Sequence, residues 1–133
     1  MDNLLIIAGI IIGIGLISVL FGSFLTFDQL IRLEYNSYRS QWENDGTPRG
    51  ILWLPHEYWK SQSMSWFDKW KSQYKSEWAF QKIWLYWLFS TPEWMENDEK
   101  ALNLVRRYRV LVLIWNGSII LVFISIMIFG TAR

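Results

Sequence analysis

The chain carries one histidine, His56, and no cysteine. A single imidazole is able to ligate a haem iron or act as a general base. His56-Glu57 does not open a zincin motif, because position 60 is Lys60 where that motif needs a second histidine. With no thiolate and no other imidazole, a metal set of the usual kind is not assembled, and disulfide chemistry is excluded. His56 reads as an ordinary histidine at a membrane boundary. The carboxylates Glu93, Glu96, Asp98 and Glu99 are crowded enough to suggest a cation site. They lack the alternating spacing and the glycine of a calcium loop, and read instead as a solvated acidic turn ahead of a basic one. No catalytic, cofactor-binding or metal-ligating residue is assigned, no cofactor is expected, and the chain reads as a non-enzyme.

The basic residues point elsewhere. Arg32, Arg39, Arg106, Arg107 and Arg109 flank two long uncharged runs. Such residues set membrane topology and attract anionic lipid head groups. The formal net charge is +1, so there is no broad basic field for nucleic acid. Interleaved aromatic and basic residues also occur in single-strand binders, but here the membrane explains them, and no nucleic-acid partner is expected.

The elements that must position these residues follow from the distribution of hydrophobicity. Leu4 to Leu25 is free of charge, as is Val110 to Phe129. At ~1.5 Å per residue both cover the ~30 Å of a hydrocarbon core, and in lipid both must be helical. The first is preceded by an acidic residue, Asp2, lacks a cleavage pattern, and is longer than a signal-peptide core, so it reads as an uncleaved anchor. Twelve of the thirteen lysines and arginines lie between the runs, which places the middle region in the cytoplasm. The expected layout is a short outer N-terminus at 1–3, a transmembrane helix at 4–25, a cytoplasmic region at 26–109, a second transmembrane helix at 110–129, and an outer C-terminus at 130–133.

Within the middle region, Phe24, Phe27, Ile31, Tyr35, Tyr38 and Trp42 recur at three- and four-residue spacing. They predict that the first helix continues past the membrane as far as the turn formers from Asn44 to Gly50. Nine of the ten tryptophans fall between positions 42 and 94. An amphipathic helix is predicted over 57–89, lying in the membrane interface, with Trp59, Trp66, Trp70, Trp78, Trp84 and Trp87 dipping in while Lys71, Lys75 and Lys82 snorkel towards phosphates. Thr91-Pro92-Glu93 predicts a helix start, with the helix then running through Glu96 and Lys100, an i,i+4 pair, into the second span.

Two small-residue pairs mark the first span, Gly9 with Gly13 and Ser18 with Gly22. Such pairs let helix backbones approach closely. Asn116, Gly117 and Ser118 place polar and small residues in the second span, where an amide is able to bond across helices. All seven are read as helix-packing positions.

The layout resembles the universal stress protein B family of small two-span bacterial membrane proteins. The matching features are Leu30-Ile31-Arg32, the turn from Gly46 to Gly50, and Asp98 followed by Arg106, Arg107 and Arg109 before Val110. The aromatic segment from Trp53 to Trp87 departs from that pattern. The resemblance implies a bacterial inner-membrane location and carries no catalytic residue with it.

The fold expected is all-α: two transmembrane helices extended into the cytoplasm as an antiparallel pair, joined by an aromatic interfacial segment. The function expected is that of an accessory subunit or regulator acting through helix packing and membrane-surface contact. Its expected partners are lipids and either another membrane protein or a further copy of itself. The alternatives are a holin-like or small-channel permeabilising protein, and a cofactor-binding subunit of a larger membrane complex.

Overall fold

A computed structural model of the chain describes residues 2–56 and 65–130. Five helices occur in that part, and no strand: α1 (Asp2–Ser37), α2 (Arg39–Asn44), α3 (Trp66–Phe89), α4 (Glu93–Glu96) and α5 (Glu99–Gly130). Helices α1 and α5 pack against each other. Tyr38 meets Asp98, Phe27 meets Tyr108 and Gly22 meets Leu111. Each of the two contains a stretch long and apolar enough to cross a membrane.

The core lies outside the most hydrophobic stretches. Phe27, Leu30 and Ile31 of α1, Ile83 and Trp87 of α3, Met95 of α4, and Ala101, Val105, Tyr108 and Val112 of α5 form one buried cluster. The spacing of the α5 residues, at three and four, is the stripe expected of a helix with one packed face. By contrast, Ile10, Ile11, Ile14 and Ile17 in α1 and Ile120, Leu121, Phe123 and Met127 in α5 are exposed.

The α1 stripe is as predicted on its inner members: Phe27, Ile31 and Trp42 are buried, and Tyr35 and Tyr38 are half-buried. The helix does not run unbroken to Asn44. Tyr38 leaves helical geometry at φ −130° and ψ 49°, and α2 restarts beyond it. The turn after α2 uses Gly46 at φ 93° and Thr47 at φ 58°. The second is costly for a β-branched residue, and bonds hold it on both sides. Its N–H donates to the Trp42 carbonyl at 2.9 Å, and its carbonyl accepts from the Ser76 hydroxyl at 3.0 Å.

Of the helix predicted over 57–89, the part from Trp66 is observed as α3; 57–64 lies outside the described residues. The start at Thr91 to Glu93 yields only the short α4, with Pro92 as the flanking residue. The expected run from Glu96 through Lys100 is interrupted at Asn97 and Asp98. Short polar side chains of this kind compete for backbone partners and favour caps. Asp98 Oδ1 accepts from the Lys100 and Ala101 amides at 2.9 and 3.1 Å, so it caps α5. Glu96 and Lys100 therefore belong to different helices.

Candidate functional site

Three regions hold the residues singled out from the sequence: the aromatic helix α3, the polar flank where α1 and α5 leave their apolar stretches, and the small residues within those stretches.

Helix α3 carries two apolar faces. Ser76, Ala79, Ile83 and Trp87 are buried on one side. Ala79 lies against the turn at Gly46, and Trp87 packs on Phe27 and Trp94 with ring centroids 5.4 and 6.2 Å apart. Tyr74, Trp78, Leu85 and Phe89 lie exposed away from that stripe, Trp78 at 60% and Phe89 at 80%. Trp78 and Tyr74 meet edge to face at 6.3 Å. The expectation for the tryptophans therefore divides. Trp87 is a core residue, because it falls on the narrow buried stripe and not on the broad aromatic face. Trp84 is half-buried against the Tyr108 ring. Trp66 and Trp70 lie in the first turns of α3, and Trp59 falls outside the described residues. Lys71, Lys75 and Lys82 are exposed along the same helix.

Helix α3 meets the α1–α5 pair at one level. Phe27 touches both Phe80 and Trp87 at 5.4 Å, the Tyr108 hydroxyl donates to the Trp84 carbonyl at 3.0 Å, and Arg109 donates to the Trp87 carbonyl at 2.9 Å. A second N–H of Arg109 reaches the Thr91 hydroxyl at 3.0 Å. Arg109 thus pins the end of α3 to α5, and Thr91 serves this bond where the sequence suggested a helix cap. Arg39 stacks over Tyr35 and Trp42 at 4.3 and 4.5 Å and pairs with Glu43 at 3.1 Å. Arg32 lies over the Trp53 ring at 5.6 Å, and Arg106 and Arg107 are exposed.

Two carboxylates that the sequence reading passed over are central. Asp28 is buried, and its oxygens accept the backbone amides of Ile51 and Leu52 at 2.6 and 2.9 Å. Gly50 lies so close that a Cβ there would collide with the Asp28 carboxyl. Glu34 is fully buried, and neither of its oxygens finds a hydrogen-bond donor. Burial above all, with the Asp45 carboxyl adding in the same direction, pushes Glu34 up to about 9. The indole nitrogens of Trp87 and Trp94 are also buried without a partner. Glu34 was findable: it follows Ile31 by three residues and Phe27 by seven, and so shares their inward face.

The acidic cluster resolves into a cap. Asp98 also accepts the Tyr38 hydroxyl at 2.9 Å, and its carboxyl is held below the usual range, first by the Ala101 amide. Glu93, Glu96 and Glu99 are exposed, as is His56. Among the described residues no group of three or more potential ligands converges on a metal position.

The small residues act unequally. A Cβ added at Gly22 would meet the Leu111 side chain at 3.6 Å, whereas among the described residues nothing lies within 4 Å of the Cβ position of Gly9, Gly13 or Gly117. Ser18, Asn116 and Ser118 bond to carbonyls four residues back on their own helices, at 2.9, 2.8 and 2.7 Å. Asn116 therefore makes no cross-helix bond here; its own turn offers an acceptor without any movement of the chain. No known protein family, curated protein or solved structure matches the chain.

Proposed function

We propose that this chain is a two-span integral membrane protein of the bacterial inner membrane. In this reading α1 and α5 cross the bilayer antiparallel, residues 26–109 lie in the cytoplasm, and the protein serves as a non-enzymatic accessory subunit or regulator. The observation that carries the reading is the inverted relation between hydrophobicity and burial. The most apolar stretches of α1 and α5 are the least buried, while the mixed-polarity stretches beyond them form the core. An exposed apolar surface of that extent calls for lipid or for a partner's helices.

Three further observations support it. Helix α3 meets the pair at Phe27 and Tyr108, each two residues from the end of an uncharged run, so its exposed aromatic face lies at the depth where tryptophan settles. Gly9 and Gly13, which no described residue approaches, suit close approach by a helix from outside the chain. The layout resemblance supports the bacterial location.

Affinity purification of the tagged chain from native membranes in mild detergent tests the function. A stoichiometric membrane partner, or a defined homo-oligomer, is the expected result, and Gly9→Leu with Gly13→Leu should weaken it. A monomer that elutes alone and is indifferent to both substitutions would remove this reading.

A further inference from the structure

The arginines flanking the apolar runs are not equivalent. Arg109 is committed to Trp87 and Thr91, and Arg39 to Glu43 and two rings. Arg32 instead borders an open groove between α1 and α5, and Arg107 borders a hollow on α5 that adjoins it. Gln29, Arg32, Asn36 and Ser37 line the groove from one side and Lys100 from the other, around a hollow of about 450 Å³. The adjoining hollow shares Lys100 and Leu104 and adds Arg107; Glu99 is the one carboxylate that lines it, and the Asp98 carboxylate attracts Lys100 from beside it. Among the described residues none of the three cations forms an ion pair, and Arg32 is steadied by the face of Trp53.

The depth of these groups is informative. Arg107 precedes Val110 by three residues, about 4.5 Å along the helix, and Arg32 follows Leu25 by seven, about 10 Å. The polar layer on each side of a bilayer is roughly 5–8 Å deep, and an arginine side chain reaches several ångströms towards it. A basic groove between two helices at the cytoplasmic flank is the setting in which acidic headgroups are held. The Gln29 amide, about 6 Å past Leu25, adds a donor and an acceptor that a bare phosphate does not need.

We propose that this groove binds the headgroup of an anionic phospholipid at its membrane-proximal end, with the phosphodiester between Arg32 and Arg107 and the headgroup's hydroxyls on Gln29. It rests on the membrane-spanning reading above.

The test uses the full chain in mild detergent, with native mass spectrometry after addition of phosphatidylglycerol or phosphatidylcholine at equal concentration. Phosphatidylglycerol should be retained about tenfold more than phosphatidylcholine. Arg32→Gln with Arg107→Gln should abolish that preference, whereas Arg32→Lys with Arg107→Lys should keep most of it and Arg39→Gln all of it. Equal retention of both lipids by the native chain overturns the proposal. An unchanged preference in the double glutamine variant overturns the placement in this groove. Full displacement by glycerol phosphate at the same concentration would make the ligand a soluble phosphate ester and overturn the lipid assignment. Alkaline carbonate extraction separates the two readings: a chain stripped from membranes by it does not span them, and both fall. A chain that resists extraction but shows no lipid preference loses only this site.

Discussion

Helix α1 is two structures in one rod. From Ile6 to Leu20 it is nearly all isoleucine, leucine and glycine, and its large side chains are mostly exposed. From Ser23 to Glu34 it includes serine, threonine, aspartate and glutamate, and these polar groups are buried with Phe27, Leu30 and Ile31. In water the apolar half would be the one to hide. The contrast teaches that burial in this chain follows the packing of partners and not hydropathy: one half builds a small polar-containing core, and the other, on the membrane-spanning reading proposed above, has lipid as its solvent.

The sharpest way to break the comparison is to truncate one aromatic from each half. Trp87→Ala should cost ~3–5 kcal/mol, seen as a fall in the denaturant midpoint of the detergent-solubilised protein. Phe123→Ala, from the exposed half of α5, should cost ~0.5 kcal/mol or less by the same measure. Equal losses would mean that the two regions do not differ as described.

Asp28→Ala comes next. It leaves the Ile51 and Leu52 amides without their acceptor, at a cost of ~2–3 kcal/mol. Proteolysis near Gly50 should accelerate while the spans stay protected; an unchanged cleavage rate would count against the tie. Gly50→Ala should act in the same direction through its collision with Asp28.

Glu34 sharpens the comparison by pH. Its folded value is about 9 against an ordinary 4.5, so the folded state holds the proton more tightly than the unfolded one. Below the ordinary value both states are protonated and nothing is lost. As pH rises from about 4.5 towards 9 the unfolded chain ionises first, and stability falls across that window. Glu34→Gln should flatten this decline and gain ~1–3 kcal/mol at pH 8. Identical pH profiles for the two proteins would show that the carboxyl is ionised in the fold.

The smallest effect on folding is expected in the apolar half. Gly9→Leu and Gly13→Leu meet open space, so unfolding should shift by ~0.5 kcal/mol or less. Their consequence belongs to association, read by size in detergent.

Some of this was legible in the sequence, and for definite reasons. The apolar stretches declare themselves by length and lack of charge, and Phe27, Ile31 and Trp42 by helical spacing. The two-faced nature of α3 was not visible, because Ser76 and Ala79 carry no strong apolar signal and the broad tryptophan face drew Trp87 into its count. Nor was the break at Asn97 and Asp98, since the competition between helix propensity and side-chain capping is decided by where Tyr38 can reach. Arg109 read as one of three flanking arginines; only the arrival of Trp87 and Thr91 from elsewhere in the chain sets it apart.

The buried cluster joins Phe27 to Tyr108 and Val112, residues about 80 positions apart in the sequence. It cannot close until α5 has left the ribosome. At about 5–20 residues per second, the segment after Phe27 waits several seconds for α5. Helix α3 ends only at Phe89, so both of its apolar faces are open for about the last 1–4 s of that wait, and on the membrane-spanning reading the bilayer surface is where they rest. On that reading, a chain that stalls before α5 would leave a tryptophan-rich helix lying on the bilayer.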